Sequence, residues 1–501
     1  MLKKLKSPAT TNRGRAPASL AACIRSVALG VLVTCGTALA QTSGAPSAGT
    51  EEKSKVIIYR GATVIDGSGT APQSDMAVIV ENDRIKAVVP DSEVGAQAEG
   101  AEVIDARGLY ALPGLIDVHV HLATSPNRKL AEAIARRYLY SGITAVRDMA
   151  GDVRALADFA RASRMGEIPA PDVYYSALMA GPAFFVDRRT VAAAQGATPG
   201  EVPWMQAITE DTNMPLAVAM ARGTYASGIK IYANLPASLI GRITDEAHRQ
   251  GIPVWAHASV FPAKPAEVIA AGVDVVSHVC LLPVQLDDRP PETYAERRII
   301  DISREKGDHP EITALFREMR DRGTILDATL LIFAHAQKRA AEKAAQATNG
   351  KRPSGPLSGC SAEVAIKLTR QAYRENVQIA AGTDMLLPPQ ELYPALHMEL
   401  EMLEDEAGMS ALDVIKAATS TAARALGQHE QMGTIAAGKL ANLVFVSKNP
   451  LEDVSNLRSV EFTVKRGVIY RRAEYVPISE DELPARMRGN PPSAPSQGTT
   501  K

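Results

Sequence analysis

The sequence Pro113-Gly114-Leu115-Ile116-Asp117-Val118-His119-Val120-His121 combines an apolar run with two histidines at its end. A short apolar run of this kind predicts a buried β-strand. Because side chains alternate between the two faces of a strand, His119 and His121 point the same way. Two neighbouring neutral imidazoles can bind one transition-metal ion. This stretch therefore predicts a strand that ends in either a structural pair of histidines or a metal site, and taken alone it favours the structural pair.

Helix-like segments that end in Gly or Asn and run directly into apolar strands recur through the middle of the chain. Gly and Asn tolerate the left-handed conformation that closes a helix. The junctions are Gly142-Ile143, Gly228-Ile229, Gly251-Ile252, Gly272-Val273, Gly323-Thr324 and Asn376-Val377. With strands at 115–121 and 172–178, they predict an α/β fold with eight parallel strands, the number in a TIM-type (β/α)8 barrel. An open, doubly wound sheet is the alternative, because junctions alone do not show closure.

Short β-branched runs lie on both sides of this array. Four fall between Val56 and Ile104, and two more, at 442–446 and 460–464, follow the array. An isolated hairpin is only marginally stable, so we expect both groups to join in one small β-sandwich domain. The predicted boundaries are 56–112 for its first part, 113–428 for the barrel, 429–480 for its second part and 481–501 for a disordered tail.

The first forty residues are typical of a secretory signal peptide. Six Lys or Arg residues, with no acidic residue before Glu51, accompany an apolar run from Val27 to Ala40 that ends in Ala38-Leu39-Ala40. We expect residues 1–40 to be cleaved, 41–55 to be a flexible linker, and the mature chain to be periplasmic or secreted. A membrane anchor is the alternative, but the run is shorter than the ~20 residues that span a bilayer.

Composition narrows the partners of this chain. It has 501 residues, of which 46% are hydrophobic and 22% charged, and a formal net charge of -1. These values exclude a disordered or coiled-coil protein, and no basic stripe offers a surface for nucleic acid. We expect a small-molecule substrate, no nucleic acid and, after signal cleavage, no membrane. The sequence does not determine whether the protein forms a homo-oligomer.

Polar residues end several further strands of the predicted array. In a barrel, the carboxyl ends of the strands meet at the face that carries the active site. Charged side chains are rarely buried unless they are paired or bind metal. Five strands together predict a cluster of six such groups, which are His119, His121, Lys230, His257, His278 and Asp384.

These segments resemble the amidohydrolase superfamily over nearly all of residues 56–470. Residues 113–121 resemble its first-strand motif, and Gly142-Ile143-Thr144-Ala145-Val146-Arg147-Asp148 resembles the second-strand segment of the imidazolonepropionase-related branch. The return to the β domain is similar too, in Ala418-Thr419, Ala422-Ala423, Gly433-Thr434-Ile435 and Gly438-Lys439-Leu440-Ala441-Asn442. Asn442 departs from the Asp that is usual there, at a position outside the barrel.

The resemblance implies a site for two divalent metal ions. In it His119, His121 and Asp384 bind the more buried ion, His257 and His278 bind the more exposed one, and an N-carboxylated Lys230 bridges both. A protonated ammonium has no lone pair for a metal, whereas a carbamate offers two oxygens. Zinc is the expected ion, with manganese or cobalt as alternatives. Imidazolonepropionase lacks this lysine, so Lys230 favours the Xaa-Pro dipeptidase-like relatives.

The implied reaction is hydrolysis of an amide bond in a small carboxylate-bearing molecule by a hydroxide that bridges the metal ions. Xaa-Pro dipeptides and N-acyl amino acids, ochratoxin-like amides included, are the expected substrates. Asp384 would take the proton of the attacking water, with pure metal ligation as its alternative. Tyr232 would bind an oxyanion or a substrate carboxylate, or simply pack inside the barrel. A lactonase, a cyclic-amide hydrolase, a phosphotriesterase and a catalytically inactive binding protein are the alternative functions.

Several features outside this cluster allow two interpretations. The insertions 285–310 and 336–360 follow strands, so each is either a lid over the site or a solvated loop. Cys280 and Cys360 remain after signal cleavage and form either a disulfide or two free thiols. Arg147 and Asp148 end the second barrel strand, and we expect them to form a structural ion pair.

Overall fold

The computed structural model describes residues 54–95, 99–123, 127–298, 300, 302–303, 307–346 and 360–484. The predicted signal peptide, nearly all of the predicted linker and the tail beyond residue 484 lie outside these residues. Within the described part of the chain, no helix is both long and apolar enough to cross a membrane.

The described chain begins with a group of strands that belong to one sheet. β1, β2 and β3 form an antiparallel meander, and Asn82, in the turn between the second and third strands, has a φ of 55° that Asn tolerates. The strands are β1 (Val56–Val64), β2 (Gln73–Glu81), β3 (Arg84–Pro90), β4 (Glu102–Asp105) and β5 (Tyr110–Pro113).

The middle of the chain alternates strands and helices. Its strands are β6 (Leu115–Val120), β7 (Ile143–Asp148), β8 (Asp172–Ala180), β9 (Glu201–Val202), β10 (Met205–Ala207), β11 (Gly228–Ile231), β12 (Val254–His257), β13 (Val275–Ser277), β14 (Ile325–Asp327) and β15 (Ile379–Ala380). Its helices are α1 (Arg128–Leu139), α2 (Val153–Arg164), α3 (Arg188–Ala194), α4 (Met214–Gly223), α5 (Ala237–Arg249), α6 (Pro265–Ala270), α7 (Pro310–Arg322), α8 (Leu330–Gln346), α9 (Ala362–Arg374), α10 (Leu396–Glu401), α11 (Ala411–Ala417) and α12 (Ser420–Ala425).

Eight of these strands pair in parallel around a barrel, in the order β6-β7-β8-β11-β12-β13-β14-β15. The first and last strands meet through the backbone, because Val118 N donates to Ala381 O at 3.0 Å and Asp384 N donates to His119 O at 2.8 Å. The sheet is therefore nearly closed, which confirms the TIM-type barrel and excludes the open sheet.

The helix ends follow the predicted pattern at five of the six junctions. Gly142, Gly251, Gly272, Gly323 and Asn376 all have φ between 61° and 90°, the left-handed region. Gly228 does not, and the prediction that it closes a helix is wrong. It is the first residue of β11, and a Cβ there would lie 2.6 Å from the Trp255 ring. Glycine is needed at this position for space.

The chain returns to the first sheet through β16 (Leu443–Val446), β17 (Val460–Lys465) and β18 (Val468–Arg471). β16 pairs antiparallel with β5, so strands from both ends of the chain join as predicted, and they do so in one sheet. Three aromatic rings pack in its core, with centroids 4.9 Å apart for Tyr59 and Phe445 and 4.5 Å apart for Phe445 and Phe462. The small domain is thus stabilised by contacts between the two chain ends.

Cys280 and Cys360 form a disulfide with Cα atoms 5.9 Å apart and 80 residues apart in sequence. Cys280 lies two residues beyond His278, and Cys360 lies just before α9. The bond therefore links the backbone beside a predicted site residue to the end of the 336–360 insertion, of which 347–359 lie outside the described residues.

Replacing Cys360 with Ser is expected to lower the free energy of unfolding by about 2–5 kcal/mol, because a long closed loop is released in the unfolded chain. Urea titration of oxidised wild type, reduced wild type and Cys360→Ser measures this change. The last two should unfold at the same urea concentration. Equal midpoints for all three would contradict a stabilising disulfide.

Candidate active site

Three histidine rings meet at the carboxyl ends of the barrel strands. His119 lies in β6, His257 ends β12, and His278 directly follows β13. The ring centroids of His119 and His278 are 4.9 Å apart, and those of His257 and His278 are 4.8 Å apart. His121 adjoins the group, with its ring centroid 5.5 Å from that of His119. The four histidines predicted from the strand ends therefore lie together.

Asp384 reaches the same cluster from the segment after β15. Its Oδ1 lies 3.1 Å from His121 Nε2 and 3.8 Å from His119 Nε2. Burial alone raises the pKa of Asp384, but the neighbouring His119, His121 and His278 outweigh burial and hold the pKa well below its usual range. The carboxyl group is therefore ionised at neutral pH.

His278 and Asp384 have an unusual backbone conformation. Their φ angles are 72° and 48°, in the left-handed region that residues with a Cβ rarely adopt. Backbone hydrogen bonds hold both residues, from His278 N to Asp327 O at 2.9 Å and from Asp384 N to His119 O at 2.8 Å. Conformations of this kind cluster at functional sites.

Lys230 lies in β11 with 1% of its surface exposed. Its Nζ has no hydrogen-bond partner among the described residues. Burial lowers the pKa of Lys230 to about 7, so a large fraction of the amine is neutral near neutral pH. The charge of Lys230 in turn lowers the pKa values of His119, His257 and His278, after the larger effect of burial. Lys230 is therefore an electrostatic neighbour of the histidine cluster.

The donor atoms of this cluster suit divalent metal ions. His119, His278 and Asp384 each offer one ligand atom, and these atoms lie within 4.8 Å of one another. His257 Nδ1 is buried and, like Lys230 Nζ, has no hydrogen-bond partner among the described residues. Burial lowers the pKa of His257 well below its usual value, so its imidazole is neutral. Neutral imidazoles and a carboxylate are suitable ligands for a divalent metal ion. Buried polar atoms normally have a bonding partner, and a metal ion would supply it here.

Asp327 is a site residue that the sequence analysis missed. It ends β14 and is fully buried. Its Oδ2 lies 2.6 Å from His119 Nδ1, and it accepts from Ser277 Oγ at 2.9 Å and from Arg147 Nη2 at 3.4 Å. A proton on Nδ1 leaves the lone pair of Nε2 for the cluster, the arrangement seen around metal-binding histidines. The rule that polar residues end barrel strands applies to Asp327 and would have found it.

The prediction that Arg147 and Asp148 form an ion pair is wrong. Neighbouring residues of a strand point to opposite faces. Arg147 donates to Val118 O at 2.5 Å and approaches Asp327, whereas Asp148 accepts from Leu122 N at 2.5 Å.

Tyr232 contacts both His257 of the cluster and Arg189 outside it. Its ring centroid lies 4.0 Å from that of His257, and its hydroxyl accepts a hydrogen bond from Arg189 Nη1 at 2.6 Å. Burial raises the pKa of Tyr232 well above its usual value, so the hydroxyl keeps its proton. Tyr294, from the 285–310 insertion, packs against Tyr232 and His257 at centroid distances of 5.5 and 5.7 Å. That insertion therefore reaches the site. Arg189 and Tyr294 were not among the site residues predicted from the sequence.

A parallel barrel with clustered imidazoles and a carboxylate at the carboxyl ends of its strands is the architecture of a metal-dependent enzyme. The chain belongs to the amidohydrolase family, whose model matches residues 110–470. As a member it is a hydrolase that acts on carbon–nitrogen bonds, including amides, in small molecules. The family generally binds divalent metal ions.

Known proteins similar to this chain include hydrolases. The ochratoxinase of Aspergillus niger is 24% identical over 485 residues, which cover 87% of this chain and 90% of the relative. Its solved structure has a TM-score of 0.63 at 21% identity, over 83% of this chain and 96% of that one. A Xaa-Pro dipeptidase solved with methionine bound in its active site has a TM-score of 0.64 at 22% identity, over 83% and 100% of the two chains. At these identities the structural likeness shows the fold.

Replacing Asp327 with Asn is expected to weaken metal binding by roughly 10–100-fold, because the partner that orients His119 loses its charge. Metal retained by the folded protein during titration with a chelator measures the effect. Asp321→Asn, which changes an exposed carboxylate on α7, serves as the control. Equal retention by both variants would contradict an orienting role for Asp327.

Proposed function

We propose that this protein is an exported amidohydrolase with two divalent metal ions, which cleaves an amide bond in a small carboxylate-bearing molecule. Xaa-Pro dipeptides and N-acyl amino acids, ochratoxin-like amides included, are the proposed substrates. The observation that carries the proposal is Lys230, a buried amine without a hydrogen-bond partner among the described residues. It interacts electrostatically with the four histidines and with Asp384. A buried ammonium without a partner costs free energy, whereas a carbamate on Lys230 would offer two oxygens to metal ions.

The proposed ligands divide between two positions. His119, His121 and Asp384 would hold one ion, His257 and His278 would hold the other, and the carboxylated Lys230 would contribute an oxygen to each. Zinc is the proposed ion, with manganese or cobalt as alternatives. Bound divalent ions supply Lewis acidity for the amide carbonyl and lower the pKa of water.

The remaining chemistry falls to side chains of this chain. Asp384 is ionised and lies beside His121, so it can accept the proton of the attacking water and return it to the leaving nitrogen. Tyr232 keeps its proton, and the hydrogen bond from Arg189 holds its oxygen in place. Its hydroxyl is therefore suited to donate to a developing oxyanion or to a substrate carboxylate.

The similar proteins support the choice of substrates to screen. The names of the ochratoxinase and the Xaa-Pro dipeptidase suggest substrates to test. For this protein we propose a class of substrates and not one particular compound. A panel of Xaa-Pro dipeptides, N-acyl amino acids, lactones and aryl phosphotriesters separates an amidohydrolase from the alternative hydrolases. An inactive binding protein is less favoured, because such proteins usually lose metal ligands, whereas this sequence retains all six predicted ligand residues.

Replacing Lys230 with Ala is expected to lower the rate of amide hydrolysis by more than about 100-fold. Loss of a residue that only supports a metal ligand usually lowers activity by about 10–100-fold. Wild type supplied with isotopically labelled bicarbonate should show a carbamate signal by NMR that the variant lacks. Lys338→Ala, an exposed change on α8, is the control and should behave as wild type. Full activity of Lys230→Ala would refute the carbamate bridge.

Export is proposed from two features. Residues 1–40 have the pattern of a signal peptide, and the Cys280–Cys360 disulfide fits an oxidising compartment. Expression of the full chain in a bacterial host should give a periplasmic product that begins at Gln41, as read by N-terminal sequencing. A cytoplasmic product that retains Met1 would contradict export.

A further inference from the structure

A cavity of about 250 Å³ lies beside His121 and Asp384. Its volume is below the ~300–1,000 Å³ of sites for drug-sized ligands, so it suits a single side chain. Most of its surface is apolar, and no residue of this apolar wall belongs to the proposed ligand set. The wall is formed by Met149, Leu178, Phe184, Ala193 and Met205.

Regular secondary structure holds most of this wall in place. Leu178 and Met205 face each other in the parallel pairing of β8 and β10, and Ala193 lies in α3 with 1% of its surface exposed. The Phe184 ring stacks on Tyr232 with centroids 4.4 Å apart. The cavity is therefore preformed, and its size is set by side chains that have little freedom to move.

Arg189 supplies a cationic group at the rim of the same cavity. Its Nε and Nη2 donate to Asp187 at 3.0 and 2.8 Å, and its Nη1 donates to Tyr232 at 2.6 Å. A guanidinium has five N–H bonds, so two remain without a partner among the described residues. The side chain is half exposed. These N–H bonds can bind a carboxylate, the anion that the planar guanidinium matches best.

We propose that this cavity binds the large apolar side chain of an N-acylated amino acid, with the α-carboxylate of that residue on Arg189. This inference rests on the proposed function, because it places the amide next to His121 and Asp384. Derivatives of phenylalanine, leucine or methionine should be preferred over those of glycine. The apolar wall itself offers no partner to a charged side chain, so derivatives of charged amino acids should bind more weakly than those of phenylalanine.

Binding of a non-cleavable probe tests the proposal without relying on catalysis. N-Methylsulfonyl-L-phenylalanine carries a sulfonamide in place of the amide, and calorimetry with the metal-loaded mature protein gives its Kd. We expect it to bind at least ~10-fold more tightly than the glycine analogue, the lower limit for a hydrophobic pocket. Its carboxamide derivative should bind about 10-fold more weakly, because it lacks the charge that Arg189 recognises.

Two variants assign these preferences to residues. Arg189→Met should abolish the preference for the carboxylate over the carboxamide, while Arg188→Met, at an exposed position of the same helix, should retain it. Ala193→Leu should abolish the preference for phenylalanine and leave binding of the glycine analogue unchanged. Should Ala193→Leu fail to fold, Met205→Ala enlarges the cavity instead and should favour the tryptophan analogue over phenylalanine.

The outcomes separate this inference from the proposed function. Equal affinity of wild type for the phenylalanine and glycine probes, or an unchanged carboxylate preference in Arg189→Met, overturns the inference even if wild type hydrolyses amides. Probe binding with both preferences supports the inference. If that binding occurs in a protein that cleaves no N-acyl amino acid, only the proposed activity fails.

Discussion

Strand β11 buries Lys230 inside the barrel. Each residue of β11 is buried, and Ile229 and Ile231 pack in the large apolar core. Lys230, between them, points to the other face of the strand and so toward the barrel interior. Its Nζ has no hydrogen-bond partner among the described residues. An unsatisfied buried charge is costly, whereas the proposed carbamate would be an anion among donor atoms that suit metal ions.

A continuous set of contacts inside the barrel supports one histidine of this cluster. Gly228 leaves room for the Trp255 ring, and the guanidinium of Arg147 lies 4.6 Å from the centre of that ring. Arg147 approaches Asp327, which holds His119 Nδ1 at 2.6 Å. Burial alone raises the pKa of Asp327, but the opposing effects of His119 and Arg147 are larger in sum and hold it below its usual value, so the carboxyl group stays ionised. The geometry of His119 thus depends on residues from four different strands.

Sequence periodicity could predict the cluster because a barrel brings every strand end to one face. That rule was sufficient for His119, His257 and His278, whose positions follow from where each strand stops. It could not identify the contacts of Arg147, because a strand pattern gives the face of a side chain and not its partner. The cavity was equally out of reach, since Arg189 and Phe184 lie in a segment without a clear period. The pairing of Cys280 with Cys360 required the distance between them in the fold.

The number of metal ions bound per chain distinguishes a binuclear site from a mononuclear or metal-free one. Purified wild-type protein, supplied with zinc and bicarbonate and then dialysed, is expected to retain about two divalent ions per chain, as a binuclear hydrolytic site requires. Elemental analysis against protein concentration gives the value. Folded protein that retains none, or no more than one, would contradict a site built around Lys230.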